Sequence, residues 1–267
     1  LHLPKFFFVG TLNALFYQYL VWLYKKADML VYPSEFAKKI FEERFKIHLA
    51  EEVISNGVDI SKFKKTDIEA RRFIKKFSID KSVINFLYVG RLHPEKSIDT
   101  LIRATAYAIQ KNPHIKTYIV GEGHMRDSLE YLTNKLGLKE QVLFLGKLHD
   151  DDLIGAYNAS DSLVLPSLAE LEGMVALEAM ACGKPLIIAD SKESASVYFI
   201  NGNGFLFKPK DPIDLAEKML RLADDKAGRE KMGEMSLKKS REYDINQSVT
   251  KLEELYYRLT RIAHPNT

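Results

Sequence analysis

From residue 83 onward, short apolar runs alternate with longer segments that are apolar at every third or fourth position. The runs 84–89, 116–120, 142–145, 161–165 and 186–188, with a shorter one at 204–207, have the length and β-leaning composition of buried parallel strands. Between and after them, segments 98–111, 125–136, 151–158, 174–181 and 213–223 read as helices. Strand and helix in strict alternation predict an α/β fold, a Rossmann-like doubly wound parallel sheet covered by helices. Glycine follows the strand ends at Gly90, Gly121 and Gly146, the edge at which such sheets hold ligands.

The same rhythm opens the chain. Residues 27–32 read as a strand, Ser34 as the N-cap of a helix running through Phe45, and 52–54 as a second strand. A turn with Gly57 at its bend follows at 55–59. Residues 61–82 are a charged connecting segment, helical over 69–77. A final amphipathic helix, 245–262, follows a break at Tyr243-Asp244. Segment 12–24 is different: it is apolar and aromatic on most faces, interrupted by Asn13 and Gln18 and closed by Lys25 and Lys26. It is short for a bilayer span and lacks the marks of a signal peptide. The expectation is a core helix whose partners lie outside this chain, with an interfacial helix as the second choice.

The richest chemistry lies between the strands 161–165 and 186–188. The connecting stretch reads as a loop carrying Glu170, then a short helix from Met174 to Ala181 with Glu178 one turn inside, stopped by Gly183 and Pro185. Gly173, Met174 and Val175 supply the first helical amides, at the positive end of the helix dipole, where a phosphate is attracted. Two carboxylates flanking an anion site suit a ligand with a phosphate centre and hydroxyl-bearing ends, such as a nucleotide sugar. The plain alternative is a solvated acidic cap. Arg91 and Lys96 follow another strand end and could neutralise a diphosphate; as surface charges they would be unremarkable. Gly121-Glu122-Gly123 lacks the third glycine of a dinucleotide fingerprint, since position 126 is arginine. His93, His124 and His149 fall in loops without a nucleophile in a recognisable setting.

Composition narrows this only a little. The chain is 46% hydrophobic and 28% charged, as in ordinary globular proteins. A net charge of +3 does not suggest nucleic acid. The single cysteine, Cys182, excludes an internal disulfide, and no Cys/His cluster has metal-ligand spacing. These features fit a reducing cytosol.

The segment 170–185, with Glu, seven residues, Glu, then Ala-Met-Ala-x-Gly-x-Pro, resembles the signature of the retaining GT-B glycosyltransferases, specifically glycosyltransferase family four. Gly90-Arg91-Leu92 followed by Lys96, the Gly-x-Gly turn at 121–123, and the Asn-Gly-Val-Asp turn at 56–59 match the same family in the same order. The resemblance implies two Rossmann-like domains. Residues 1–60 would be the end of an N-terminal, acceptor-side domain, 61–82 a linker, 83–244 the donor-binding domain, and 245–267 a helix crossing back. It implies Arg91, Lys96 and Glu170 as catalytic. Gly90, Arg91, Lys96, Gly121, Gly123, Glu170, Gly173, Met174, Val175 and Glu178 would bind the donor. Arg91 and Lys96 would hold the diphosphate, Glu170 the sugar hydroxyls and Glu178 the ribose, with no metal and no other cofactor.

Three departures stand out. Ser97 replaces a usual glycine, which bears on the loop's backbone but leaves both charges. Leu171 and Glu172 stand where proline or glycine and an aromatic are usual; the extra acid would either tune the sugar or acceptor or face water. Residues 191–195 replace a Gly-Gly pattern. The family's sugar-facing histidine has no alignable counterpart, His2 being too close to the start. The expected function is transfer of a sugar from a nucleotide sugar to an acceptor hydroxyl, on a glycan or a lipid-linked molecule. The alternatives are a donor-binding module that needs a separate N-terminal domain polypeptide, and a GT-B sugar-nucleotide epimerase. Expected location is cytoplasmic, with peripheral attachment at the inner membrane face or self-association through residues 1–26 as further expectations.

Overall fold

A computed structural model of the chain describes residues 5–47 and 49–263. It divides into two units, residues 1–55 with 250–267 and residues 56–249. In the first unit, helix α1 (Lys5–Tyr24) precedes strand β1 (Met29–Tyr32), helix α2 (Glu35–Phe45) and strand β2 (Ala50–Val53), and α10 (Ile245–Ala263) enters it near the end of the chain. β1 and β2 pair in parallel. Ser34 caps α2 as expected, its hydroxyl accepting from Ala37 N at 3.0 Å. Helix α1 begins at Lys5, seven residues before the apolar run at 12, and runs through Gly10, which a helix interior tolerates at a cost of about 1 kcal/mol.

The second unit begins with α3 (Asp67–Phe77) and continues through β3 (Ile84–Val89), α4 (Ile98–Lys111), β4 (Ile115–Val120), α5 (Arg126–Lys135), β5 (Val142–Gly146) and α6 (Asp150–Ala159). Then come β6 (Ser162–Leu165), β7 (Ala169–Glu170), α7 (Met174–Ala181), β8 (Leu186–Ala189), β9 (Glu193–Ser194), β10 (Gly204–Phe207), α8 (Pro212–Asp224) and α9 (Lys226–Ser240). Six strands form one parallel sheet in the order β10-β8-β6-β3-β4-β5. The chain therefore starts in the middle at β3, builds outward through β4 and β5, then returns to β6 and builds the other way. The reversal places a crevice at the carboxyl ends of β3 and β6, where open sheets of this class take ligands.

Alternation along each strand feeds two cores. Leu87, Val89, Leu163, Leu165, Leu186 and Ile188 face one side, packed with residues of α3, α6 and α7. Phe86, Tyr88, Val164, Ile187 and Phe207 face the other, with residues of α4, α5 and α8. Burial on both faces is why these strands read as unbroken apolar runs.

The apolar pattern does not mark α9. Its buried positions are Gly233, Ser236 and Ser240, small residues that bring its backbone close to the turn after α7. A Cβ on Gly233 would lie 2.5 Å from Gly183 O. A helix docked through small residues leaves no hydrophobic stripe to read.

Candidate functional site

The loops after β3 and β6 meet at the switch point. Leu168 N donates to Glu95 O at 2.8 Å, tying one loop's backbone to the other. Beside that tie, Lys96 Nζ donates to Glu170 Oε1 at 2.6 Å, with side chains only 13% and 15% exposed. Two residues 74 positions apart in sequence thus form one charge-assisted contact in a sheltered place. Glu170 lies in the short strand β7, paired in parallel with β9, and not in an irregular loop as its sequence setting suggests. The pairing, Glu170 opposite Ser194, comes from the segment 191–195 and fixes the carboxylate's backbone.

Lys96 ends a 3₁₀ turn (Pro94–Lys96), and Ser97 follows with φ +48°, in the left-handed region. The serine keeps the backbone a glycine would adopt there. Its hydroxyl hydrogen-bonds Thr100 Oγ1 at 2.8 Å inside the protein, which favours a side chain that glycine lacks. Arg91 is different in kind: its side chain is 79% exposed and its nearest acid, Glu95 Oε1, is 3.8 Å away. Glu95 also meets His93 Nδ1. Burial and the neighbouring charges of His124, Arg91 and Lys96 hold His93 below the usual histidine pKa. The base of this loop is fixed by Tyr88, whose buried hydroxyl donates to Arg91 O at 2.9 Å.

Gly121 and Gly123 owe their identity to backbone packing. A Cβ on Gly121, at φ +133°, would lie 1.8 Å from Gly90 O, and one on Gly123 would lie 2.3 Å from Leu92 O. Leu92 N donates to Glu122 O and Met125 N donates back to Leu92 O, at 2.9 and 3.1 Å. Gly90 and the Gly-x-Gly turn are therefore one backbone-on-backbone unit, which carries Arg91 at its rim.

Helix α7 starts at Gly173, whose φ of +93° turns the chain into the helix with no side-chain cap. A Cβ at Gly173 would lie 2.1 Å from Ser196 Oγ. The amides of Gly173, Met174 and Val175 thus open the helix beside Glu170. One turn on, Glu178 is largely buried, and its Oε2 accepts from Tyr157 OH at 2.6 Å. Burial raises the Glu178 carboxyl above the usual range, while the Tyr157 hydrogen bond and Lys62 pull it back. Tyr157 is buried and its hydroxyl is pushed well up, first by burial and then by Glu178.

Glu172 does not face water. It is 5% exposed, and its Oε2 accepts from both Asn56 N at 3.1 Å and Asn56 Nδ2 at 2.6 Å. Sequence spacing gives no sign of that contact, since the partners are 116 residues apart. Ser167, in the same loop after β6, has a buried hydroxyl with no partner in the structure. Cys182 is buried behind α7, which pushes its thiol up to about 12 and leaves it a packing residue. Among the described residues no cluster of His, Cys, Asp or Glu could hold a metal ion. His2 and His48 lie outside the described residues.

The six-stranded parallel sheet in this order is the α/β fold shared with GT-B glycosyltransferases. Residues 69–239 match the family described as Glycosyl transferases group 1, and the chain belongs to that family. It is 36% identical over 183 residues to an uncharacterized glycosyltransferase of Methanocaldococcus jannaschii, covering 67% of this chain and 46% of that protein. It is 29% identical over 220 residues to the D-inositol 3-phosphate glycosyltransferase of Thermomonospora curvata, covering 76% of this chain and 50% of that protein. The fold superposes on Anabaena HepE in complex with UDP-glucose with a TM-score of 0.80 at 24% identity, over 91% of this chain and 67% of that one. The chain spans about half the length of the curated relatives it matches.

Proposed function

We propose that residues 83–207 form the donor site of a retaining glycosyltransferase of family four. It would move a sugar from a nucleotide sugar to the hydroxyl of a glycan or lipid-linked acceptor. The observation that carries the reading is the Lys96–Glu170 contact at the switch point, beside the uncapped start of α7. The donor's diphosphate would lie across Arg91, Lys96 and the amides of Gly173, Met174 and Val175. As the bond from the anomeric carbon to the phosphate oxygen breaks, charge grows on the diphosphate. The two cations and the helix amides stabilise it there, the part a metal ion plays in other transferases. Glu170 would accept from sugar hydroxyls, trading Lys96 for the ligand, and Glu178 would accept from the ribose while the Tyr157 hydroxyl keeps its carboxylate oriented. HepE, bound to UDP-glucose, supports a nucleotide-sugar ligand by likeness of fold. No metal or further cofactor enters this reading.

The test is a thermal-shift screen of UDP-, GDP- and ADP-sugars, followed by assay of released nucleoside diphosphate. A true donor at about 100 times its Kd stabilises by roughly 2.7 kcal/mol. Release that needs added acceptor supports transfer. Binding without release even with acceptors supports a donor-binding module instead. No shift with any nucleotide sugar sinks the donor site.

A further inference from the structure

The sequence marks Glu172 as an extra acid and assigns it no fixed part; the structure gives it one. Its carboxylate is buried, and the single oxygen Oε2 takes both hydrogen bonds that Asn56 offers, from backbone N and from Nδ2. Asn56 is itself held in place. Val58 N donates to Tyr243 O at 2.7 Å, Ile245 N donates to Val58 O at 3.0 Å, and Gly57 is so close to Ile245 that a Cβ would lie 2.7 Å from its Cα. Glu172 thus reaches from the loop before α7 to a rigid turn where the chain enters its larger unit. On its other side, Glu172 O accepts from Ser196 Oγ at 3.2 Å, and β7 pairs with β9. Gly173, in the left-handed region, and the start of α7 hang between these ties.

We propose that Glu172 is a positioning residue: by gripping Asn56 it sets the backbone of residues 170–175, and so aims both Glu170 and the first amides of α7 at the donor. This rests on the donor-site reading above. The carboxylate acts only as an acceptor toward Asn56, so glutamine, whose amide oxygen can take both bonds, should serve in its place. Alanine should not.

The experiment has two arms. In the free protein, amide hydrogen exchange is followed for the segments 56–58 and 171–176. Glu172→Ala should speed exchange in both, and Glu172→Gln should not; unchanged protection in Glu172→Ala overturns the grip. In the second arm, UDP and GDP are titrated into wild type, Glu172→Ala, Glu172→Gln, Asn56→Ala and the Glu172→Ala/Asn56→Ala pair. Glu172→Ala and Asn56→Ala should each raise Kd about tenfold for the diphosphate that wild type binds, and Glu172→Gln should stay within about threefold. The double variant should be no weaker than the worse single one, because both changes break one contact. Multiplicative losses, a Glu172→Gln as weak as Glu172→Ala, or an undiminished Glu172→Ala each overturn the proposal. Wild type that binds neither is titrated with ADP as well; binding of none of the three overturns the donor reading and the positioning role together, and the exchange arm then decides whether the grip exists as a structural tie. If Glu172→Ala does not fold, Asn56→Ala and Glu172→Gln carry the same comparison.

Discussion

Lys96 and Glu170 hold each other at 2.6 Å across the point where the strand order reverses, one at the end of the turn after β3 and the other in β7. Under the donor-site reading, each is then the other's competitor for the ligand. A diphosphate must draw Lys96 away from Glu170, and a sugar must draw Glu170 away from Lys96.

That competition separates two ligands. Glu170→Gln should leave free nucleoside diphosphate binding equal or a few-fold tighter, because Lys96 is released. It should weaken the intact nucleotide sugar about tenfold or more, since a hydrogen bond to a charged group contributes roughly 1.5–3 kcal/mol. Calorimetric titration with each ligand gives both numbers. Equal losses for the two ligands would show that Glu170 does not meet the sugar.

Glu178 carries a similar division. Glu178→Gln should weaken nucleotide binding, with the loss shared by free diphosphate and nucleotide sugar alike, because ribose is common to both. Tyr157→Phe should weaken both as well, but less, since it removes only the hydroxyl that orients the carboxylate at 2.6 Å. Fluorescence or calorimetric titration checks the order; a Tyr157→Phe loss larger than that of Glu178→Gln refutes it.

Backbone geometry predicts opposite outcomes at two positions of the loop pair. Gly121→Ala would push a methyl to 1.8 Å from Gly90 O and should cost about 3 kcal/mol or more, or displace the Arg91 loop. Ser97→Gly relieves a left-handed serine, about 1 kcal/mol, but loses the Thr100 hydrogen bond, of similar size. Its net effect should be within about 1 kcal/mol. Denaturant melts of both variants test this. A harmless Gly121→Ala would mean that the two loops are not packed backbone to backbone.

The sheet strands and most helices are legible in the sequence because burial on both faces, or on one stripe, writes a period into the chain. Helix α4 has the bounds the pattern gives, 98–111. What the pattern omits is built from contacts with no period. Helix α9 docks through Gly233, Ser236 and Ser240; β7 and β9 are two residues each; Glu172 is buried by a partner far away in sequence. The candidate site residues could be named from a family resemblance, yet their present partners could not. Glu170 on Lys96 and Glu178 on Tyr157 follow from the strand order, which spacing alone does not express.

Lys184 offers a pH test away from the ligand site. It is part-buried after α7, with Nζ donating to Asn158 O and Ser160 O at 2.9 Å each, and loss of solvation pulls its pKa from 10.5 down to about 8. Between those two values the unfolded chain still holds a proton that the folded chain has released. Stability from this group therefore rises with pH across that window, at no more than about 1.4 kcal/mol per pH unit. Lys184→Met removes the effect. Urea melts at pH 7.5 and 10 should show wild type gaining about 1–3 kcal/mol relative to the variant. Parallel curves would mean that Lys184 stays charged in the fold.

Phe16, Tyr19 and Trp22 are 60%, 54% and 54% exposed, and Lys26 Nζ lies 4.5 Å from the Trp22 ring centroid. Tyr17 instead stacks on Phe45, and Tyr24 meets Phe45 and Phe41 edge-on, so one side of α1 is docked on α2 while Phe16, Tyr19 and Trp22 are uncovered. No helix among the described residues is long and apolar enough to cross a membrane. Aromatic rings beside paired lysines suit the boundary between headgroups and acyl chains, where rings sit flat and ammonium groups meet anionic lipid. The expected outcome is that the chain binds vesicles of anionic lipid and not neutral ones, with binding weakened by salt. Trp22, the single tryptophan in the chain, reports it by a blue shift of its emission. Lys25→Glu/Lys26→Glu should abolish the shift without altering the melting temperature by more than a few degrees, since both residues lie at the helix end on the surface. A chain that gives the same emission with and without vesicles, and runs as a larger species by light scattering, would show that those rings are covered by a second copy instead.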